Sequence, residues 1–258
     1  MALRRLDDCV AQELGVTRSH ARSLIMEGRV RVDGVTMTKG GQHVRLGATL
    51  DVTAPRRYVS RGGEKLAAAL SAFALDATGM RALDVGASTG GFTDCLLQHG
   101  AAHVVALDVG YGQLDWSLRT NPQVEVRERT NVRLLPADAF PEGFDLIVID
   151  ASFISLRSVI PSVIPYLREA ATIVALIKPQ FEAGRDRLGK GGVVRDPEVH
   201  RMVVREVRDM IADLGLTMTA LCASPLRGPA GNREFLARIQ RTGVGVDDAT
   251  LDAAIGAQ

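Results

Sequence analysis

Two polar side chains that follow long apolar runs are the first candidates for chemistry in this sequence. The run Phe144–Ile149 leads to Asp150, and the run Thr172–Ile177 leads to Lys178. Each polar residue would lie at the carboxyl end of a buried parallel strand, which is where open α/β sheets bind ligands. The pair is therefore a candidate for a functional site, although a purely structural ion pair fits the same pattern.

A glycine-rich stretch suggests what such a site would bind. Residues 81–93 (R-A-L-D-V-G-A-S-T-G-G-F-T) predict a strand, a tight turn and the start of a helix. The next apolar run ends on Asp108, about 20 residues further on, where an acid suits a ribose diol. The glycines at 86, 90 and 91 depart from G-x-G-x-x-G, so we expect an adenosine ligand without phosphates rather than a dinucleotide. A Rossmann-like turn without a cofactor is the alternative.

The elements that must position these residues alternate between strand and helix. Apolar spacing predicts a helix over 64–74, a third strand near Val124, and a helix over 197–214 between the Lys178 strand and two final strands at 216–223 and 233–240. The glycine-rich segment 184–195 is too irregular for a helix and indicates either a flap or an ordinary surface loop. This alternation predicts a mostly parallel sheet of the Rossmann-like α/β class.

Composition excludes several classes of protein. With 258 residues, 46% of them hydrophobic, the chain can bury one large core and a small one. The three cysteines are scattered without zinc or disulfide spacing, so we expect no metal site. No apolar run reaches the ~20 residues that cross a bilayer, and the N-terminus has no signal-peptide core. We therefore predict a cytoplasmic protein without a membrane partner.

The charge is unevenly distributed along the chain. Residues 1–60 carry ten Lys and Arg against six Asp and Glu, a balance of +4, whereas the remainder carries 21 against 24, a balance of −3. A basic module beside a near-neutral body suggests a polyanion-binding domain attached to an enzyme. Ordinary solvated arginines would give the same count.

The N-terminal pattern predicts two short helices packed on small strands. The motif R-S-x-A-x-x-L-I-x-x-G-x-V-x-V-D-G at 18–34 resembles the small S4-like RNA-binding domain, whose first two helices face RNA phosphates. That resemblance implies an α+β domain over residues 1–55, with phosphate contacts that give affinity but little sequence reading. The implied contacts are Arg5, Arg18, Arg22 and Lys39.

A linker over residues 56–63 follows, because Pro55 and a glycine pair interrupt regular structure. Arg57 and Tyr58, a cation beside an aromatic ring, are candidates for stacking on an RNA base or for plugging the seam between domains. Lys65 lies in the first turn of the next helix, where the helix dipole disfavours a cation. On local grounds alone Lys65 would be a surface residue.

The motifs together resemble the TlyA family of ribosomal RNA methyltransferases, whose catalytic domain is FtsJ-like. The matching stretches are D-V-G-A-S-T-G-G-F-T, D-V-G-Y-G-Q-L, I-D-A-S-F-I-S, K-P-Q-F-E and G-N-R-E-F. The resemblance runs from about residue 4 to residue 238 and implies a methyltransferase domain over 64–241 with an uninformative tail over 242–258. It also implies S-adenosylmethionine as methyl donor, the ribose 2'-hydroxyl of a cytidine in 16S or 23S ribosomal RNA as acceptor, and an effect on capreomycin-type antibiotics.

The resemblance carries specific residues over to this sequence. The family's Lys-Asp-Lys-Glu catalytic pattern falls on Lys65, Asp150, Lys178 and Glu234, although Glu234 alone would pass for a solvent-facing strand residue. The implied cofactor contacts are Asp84, Gly86, Ser88, Thr89, Gly90, Gly91, Phe92, Thr93, Asp108, Val109, Asn131 and Asp150. The chain departs from FtsJ-like relatives at Thr89 and Phe92, which stand where those have Pro and Trp, and at Asn131, which replaces an acid.

Two other functions compete with this hypothesis. Members of the same family also carry a haemolysin label, but the sequence has no long basic amphipathic helix. A non-catalytic RNA-binding protein that keeps a methyltransferase scaffold is the second alternative. The expected partner is ribosomal RNA or a ribosomal subunit. The sequence does not fix the oligomeric state, and a monomer is the simpler expectation.

Overall fold

The computed structural model describes residues 3–26, 28–53, 57–189 and 191–256. The chain divides into two compact units, residues 1–56 and residues 57–258. Residues 54–56, where the predicted linker begins, lie outside the described residues.

The first unit contains two helices and five short strands. Helix α1 ends where Gly15 adopts the left-handed conformation (φ 64°) and its N–H donates to the carbonyl of Ala11. The central strand of a three-stranded antiparallel sheet pairs with one strand on each side, and two further strands pair separately. The bounds are β1 Leu3–Arg5, α1 Leu6–Leu14, α2 Arg18–Met26, β2 Val30–Val32, β3 Val35–Met37, β4 His43–Arg45 and β5 Leu50–Val52.

The core of this unit joins the apolar faces of both helices to the sheet. Leu6, Val10, Leu24 and Ile25 are buried together with Val30 of β2. The two predicted helices are present, and a turn at Asp33 and Gly34 joins β2 to β3, whereas β1 and β4 were not predicted. Strands of three residues carry too little alternation to stand out in a sequence.

The second unit is built on a seven-stranded sheet in the order β11-β12-β10-β9-β6-β7-β8. Strands β6 to β10 run parallel, and only β12 runs antiparallel to its neighbours. The bounds are β6 Arg81–Val85, β7 His103–Leu107, β8 Val124–Arg127, β9 Phe144–Ile149, β10 Leu167–Ile177, β11 Thr217–Ala223 and β12 Phe235–Gln240.

Helices cover both faces of this sheet. Leu66 and Leu96, from two helices on one face, pack with sheet residues such as Val148, and helices on the other face contribute Ile160 and Val203 to a second cluster. The helical bounds are α3 Gly62–Ala72, α4 Gly91–Gln98, α5 Trp116–Arg119, α6 Leu156–Val163, α7 Pro179–Glu182, α8 Pro197–Asp213 and α9 Asp248–Gly256. This arrangement confirms the predicted Rossmann-like α/β class with a preceding small α+β domain.

The sequence interpretation missed four of the helices given above. Two of them, α5 and α7, are single turns of four residues, α6 follows β9 after a short loop, and α9 lies in the segment predicted as a tail. Leu251 and Ile255 of α9 are buried, and Arg205 and Arg208 of α8 form ion pairs with Asp248 at 2.9 and 2.8 Å. The tail is therefore packed onto the domain.

Strand register brings the ends of several strands to one edge of the sheet. Val85 pairs with Leu107 and with Ile149, so the residues that follow β6, β7 and β9 emerge together. Ile177 pairs with Phe235 at the start of the antiparallel β12. Lys178 and Glu234 therefore lie at the same edge as Gly86, Asp108 and Asp150.

Candidate active site

A cavity of about 270 Å³ at this edge is lined by five ionisable side chains, four of which form two ion pairs. The ammonium of Lys65 lies 2.5 Å from a carboxylate oxygen of Glu234, and the ammonium of Lys178 lies 2.6 Å from a carboxylate oxygen of Asp150. The two pairs come from α3 and the ends of β9, β10 and the segment before β12. The structure therefore brings the four predicted catalytic residues to one cavity wall.

These groups are held away from bulk water. Lys65 is 9% exposed, Lys178 7% and Glu234 2%. The ammonium of Lys178 also donates to the hydroxyl of Ser152 at 2.8 Å. Electrostatic interactions are stronger in such surroundings than in water, and a charge left without its partner would be costly. Each lysine is consequently fixed in position by one carboxylate.

A larger cavity of about 490 Å³ adjoins the first and shares Gly86, Ser88, Asp150 and Ser152 with it. Asp108 lines this second cavity, and its carboxylate accepts the N–H of Ser88 at 2.7 Å and the N–H of Gly110 at 2.6 Å. A carboxylate can accept further hydrogen bonds beyond these two. Asp108 is thus oriented to receive a diol.

The rest of the larger cavity combines apolar and amide groups. Val109, Val132 and Phe153 line it together with Asn131. The side-chain oxygen of Asn131 accepts the N–H of Arg133 and caps the short turn that follows. The wall can therefore contact an aromatic base and offer an amide to its polar edge.

The glycine loop allows the backbone to approach the next strand closely. At Gly86 (φ 89°) a Cβ atom would lie 2.7 Å from the carbonyl oxygen of Asp150, so no other residue fits. Ser88 and Phe153, which both line the larger cavity, have positive φ angles of 48° and 62° without being glycines. Such conformations cost energy and concentrate at functional sites.

Not every predicted cofactor residue reaches a cavity wall. Gly86, Ser88, Thr89, Gly91, Phe92, Asp108, Val109, Asn131 and Asp150 do. Asp84, Gly90 and Thr93 line neither cavity, and this corrects the expectation of direct contact. Asp84 and Thr93 are fully buried, and the hydroxyl of Thr93 donates to the carboxyl of Asp84 at 2.7 Å.

The buried carboxyl group of Asp84 has a raised pKa. Burial raises the pKa to about 7, and the hydrogen bond from Thr93 opposes this increase. One carboxyl oxygen of Asp84 has no hydrogen-bond partner among the described residues. Asp84 therefore supports the glycine loop through its hydrogen bond with Thr93, and its second carboxyl oxygen accepts no hydrogen bond from the described residues.

Glu182 joins the two loops that carry Asp150 and Lys178. Its carboxylate accepts the hydroxyl of Ser155 at 2.6 Å and the N–H of Leu156 at 2.8 Å. Because α7 begins immediately after Lys178, these bonds couple the position of that lysine to the loop after β9. Burial raises the pKa of Glu182, opposed by these hydrogen bonds.

Three predicted RNA contacts in the first unit surround one buried acid. The carboxylate of Asp7 receives Arg5 at 2.8 Å, Arg18 at 3.2 Å and Arg22 at 3.4 Å, and those arginine side chains remain 36%, 49% and 59% exposed. The hydrogen bond from Arg5 is the main cause that lowers the pKa of Asp7. Lys39 is also exposed. These side chains present positive charge to solvent, as phosphate contacts require.

The prediction that Tyr58 stacks on RNA is wrong. Its ring is 3% exposed and packs in the core of the second unit against the close backbone of Gly63. The guanidinium of Arg57, which is exposed, lies 5.1 Å from the Tyr58 ring centre. Tyr58 therefore anchors the start of this unit, and Arg57 alone remains available to a polyanion.

Sequence reasoning missed several residues of the cavity walls. Ser60, Arg61, Ser152 and Pro229 line the smaller cavity, and Phe153, which is 92% exposed, lines the larger one. Phe153 directly follows a strand end, which was the available signal. The others lie in loops without periodicity.

Neither a metal site nor a membrane-spanning helix is found in the parts of the chain that the structure describes. Within residues 3–26, 28–53, 57–189 and 191–256 no group of His, Cys, Asp and Glu could hold a metal ion. The same residues include no helix that is long and apolar enough to span a bilayer.

Comparison with known proteins places both units in families. Residues 4–50 match the S4 domain, and residues 58–241 match the FtsJ-like methyltransferase. The 16S/23S rRNA (cytidine-2'-O)-methyltransferase TlyA of Mycobacterium tuberculosis is 48% identical over 230 residues, which cover 88% of this chain and 86% of that protein.

Other relatives carry a different name. Hemolysin A of Brachyspira hyodysenteriae is 40% identical over 236 residues, covering 90% of this chain and 98% of that protein. A solved structure from Streptococcus thermophilus, described as a hemolysin, is 38% identical with a TM-score of 0.76 and covers 99% of this chain and 95% of that one. The chain therefore belongs to the TlyA family, in which an S4 domain precedes an FtsJ-like methyltransferase domain.

Proposed function

We propose that this protein transfers a methyl group from S-adenosylmethionine to the ribose 2'-hydroxyl of a cytidine in ribosomal RNA. The observation that carries the proposal is the pair of buried lysine–carboxylate contacts in a cavity that adjoins a nucleoside-sized one. The name of the Mycobacterium tuberculosis relative supports the choice of acceptor. Both ribosomal subunits remain candidate substrates.

The residues present fit the methyl donor. The larger cavity offers the Asp108 carboxylate to a ribose and the Asn131 amide to a base, and its wall is mainly apolar. The donor supplies an activated methyl group on a sulfonium, so the protein needs mainly to position the acceptor and remove its proton. The glycine loop would hold the donor close to the strand ends because Gly86 leaves no side chain in the way.

The four paired residues have distinct proposed roles. As the hydroxyl oxygen forms its bond to the methyl carbon, the carbon–sulfur bond breaks and the hydroxyl proton must leave. Lys178 is the proposed acceptor of that proton, and Asp150 and Ser152 hold its side chain in place. Lys65, held by Glu234, lines the same cavity and would help to orient the acceptor hydroxyl. The four residues would act as one unit.

The first unit supplies the proposed RNA affinity. Arg5, Arg18, Arg22 and Lys39 carry exposed positive charge, and phosphate contacts of this kind bind RNA without reading its sequence. Arg57, in the second unit, would offer one further cation to the RNA. Because its substrate is ribosomal RNA, we propose that the protein acts in the cytoplasm.

Mapping of methylated nucleotides tests the proposal. Unmodified 16S and 23S ribosomal RNA, and the subunits assembled from them, would be treated with protein and S-adenosylmethionine, and reverse transcription at low nucleotide concentration would locate 2'-O-methyl groups. We expect a stop at a cytidine in at least one RNA. RNA and subunits that remain unmodified would contradict the proposal.

Titration with S-adenosylmethionine separates this function from a non-catalytic scaffold. Binding with a Kd in the micromolar range is expected of an enzyme, whereas no binding would favour the scaffold. The hemolysin name of some relatives is tested by adding the protein to liposomes and measuring leakage, which we expect to be absent. The described residues include no helix that could span a bilayer.

A further inference from the structure

A third cavity in the second unit, of about 390 Å³, is lined by three arginines and no acidic side chain. Arg195, Arg227 and Arg233 form its charged wall, and His200 closes one side. Among the described residues Arg195 and Arg227 form no ion pair, and the only hydrogen bond of the Arg227 guanidinium is a long one of 3.4 Å to the Gly231 carbonyl. In this concave surface, Arg195 and Arg227 are therefore not neutralised by any ion pair of the described residues.

The wall of this cavity is fixed by buried polar groups. The side chain of Asn232, 1% exposed, accepts the N–H of Val194 at 2.9 Å and donates to the carbonyl of Gly192 at 3.1 Å. The Nε2–H of His200 donates to the carbonyl of Val194 at 3.1 Å. Three chain segments are therefore held together around the cavity, and the backbone that carries Arg195 and Arg227 is fixed, whereas their exposed side chains would become ordered on binding an anion.

His200 reports the excess of positive charge. Burial lowers its pKa most strongly, and the charges of Arg233 and Arg227 lower it further, against the hydrogen bond to Val194 and the opposing charge of Asp196. Its Nδ1 atom has no hydrogen-bond partner among the described residues. The Nδ1 atom is then a hydrogen-bond acceptor, so contacts with an anion would come from the arginines and not from His200.

The position of this cavity relates it to the candidate active site. Pro229 and Glu234 line the catalytic cavity, whereas Arg227, Ala230 and Gly231 of the same loop line the arginine cavity. Arg233 lines the arginine cavity and the next residue, Glu234, lines the catalytic cavity, while both also line a further cavity beside Arg227. The two sites are therefore separated by one loop.

We propose that the arginine cavity binds a backbone phosphate of the RNA close to the nucleotide that is methylated. Arginine suits this task because its planar guanidinium binds phosphate oxygens with two parallel hydrogen bonds. The inference relies on the proposed function only for the identity of the anion as RNA. Inorganic phosphate and a mononucleotide share the chemistry and serve as controls.

Direct RNA binding tests this site without relying on methyl transfer. The variant Arg195→Gln/Arg227→Gln would be compared with Arg241→Gln, since Arg241 is exposed and follows β12 at the opposite edge of the sheet. Filter binding of 16S and 23S ribosomal RNA over a salt series should show affinity for the double variant about tenfold lower than for the control. The slope of log affinity against log salt should fall in magnitude by about 0.7, which corresponds to one phosphate contact.

Each outcome decides the proposal. Equal affinity and slope in the double variant and Arg241→Gln would overturn it. Unchanged RNA binding together with a shift of the His200 ring signal on adding inorganic phosphate or cytidine monophosphate would overturn it in favour of a small-anion site. If no RNA is methylated while binding still depends on both arginines, the proposed function fails and this site remains.

Discussion

Two aspartates, one in each unit, are fully buried, yet their surroundings change their acidity in opposite directions. Asp7 in the first unit is surrounded by three arginines, and the nearest of them lowers its pKa. Asp84 in the second unit has one hydroxyl donor, and burial raises its pKa to about 7. Burial alone therefore does not set the charge of a carboxyl group; the number of cationic partners does.

The same contrast separates the two surfaces of the protein. In the first unit one acid organises three partly exposed arginines, so net positive charge faces the solvent. In the candidate active site each of two buried lysines has one acid, so the charges cancel in pairs. An excess of charge suits attraction of a polyanion, and balanced pairs suit the positioning of reacting groups.

The largest expected effect is the loss of methyl transfer in Lys178→Ala. Removal of a proton acceptor that touches the hydroxyl should slow single-turnover methyl transfer by about 10³-fold. The affinity for S-adenosylmethionine, measured by calorimetry, should change little because the donor is held mainly by the larger cavity. Equal methylation by variant and parent would remove Lys178 from the mechanism.

The next largest effect is a loss of stability when the buried ion pair of Lys65 and Glu234 is broken. Lys65→Met leaves the Glu234 carboxylate buried and unpaired, which should cost about 3–5 kcal/mol of unfolding free energy. In Lys65→Met/Glu234→Met most of that loss should be recovered. Circular dichroism can follow urea unfolding, since Trp116, the single tryptophan, is 74% exposed in the folded state and would report little. Equal stability of the single and double variants would show that the pair is not energetically coupled.

The raised pKa of Asp84 gives a third effect, on pH dependence. Between about pH 4 and 7 the folded state keeps a proton that the unfolded chain has released, so unfolding free energy should fall as pH rises through this window. The raised pKa of Asp84 corresponds to a change in unfolding free energy of at most about 4 kcal/mol. Relaxation of the protein around the charged carboxylate makes this change smaller. Asp84→Asn should remove this slope, and the exposed control Asp76→Asn should retain it. A slope that persists in Asp84→Asn would have another origin.

The smallest expected effect concerns Asp7. Asp7→Asn removes the anchor of Arg5, Arg18 and Arg22 and should destabilise the first unit by about 1–3 kcal/mol. Because the pKa of Asp7 is lowered in the folded state, this contribution is present above about pH 4 and is lost as pH falls further.

Hydrogen exchange of the amides in α1 and α2 measures this contribution separately from the second unit. The matched control is Asp8→Asn, since the Asp8 side chain is 33% exposed and has only Arg18 at 3.2 Å. It should cost less than about 1 kcal/mol. Equal protection in both variants would contradict an organising role for Asp7.

The sequence predicted the parts of the site that follow regular elements. Asp150, Lys178 and the glycine loop stood out because long apolar runs precede them. Lys65 and Glu234, by contrast, looked like surface residues, yet each is buried because it meets the other across 169 positions of chain. Local periodicity contains no information about such a contact.

At Tyr58 the sequence suggested a residue that could contact RNA, whereas the structure buries its ring. An aromatic residue beside an arginine in a linker has the composition of an RNA contact, but its ring is enclosed by the packing of α3 and α4. Whether an amphipathic side chain such as Tyr58 is buried or exposed depends on the surfaces around it, and the fold determines which surfaces these are. The excess of positive charge in the first unit is visible in the composition, whereas the role of this single residue is not.

A structure of the complex with S-adenosylhomocysteine would test the central claim most directly. We expect the nucleoside in the larger cavity, with its ribose hydroxyls on the Asp108 carboxylate and its sulfur directed to the smaller cavity, between Lys65 and Lys178. A sulfur atom that points away from both lysine–carboxylate pairs, or a nucleoside bound elsewhere, would contradict the assignment of these pairs to methyl transfer.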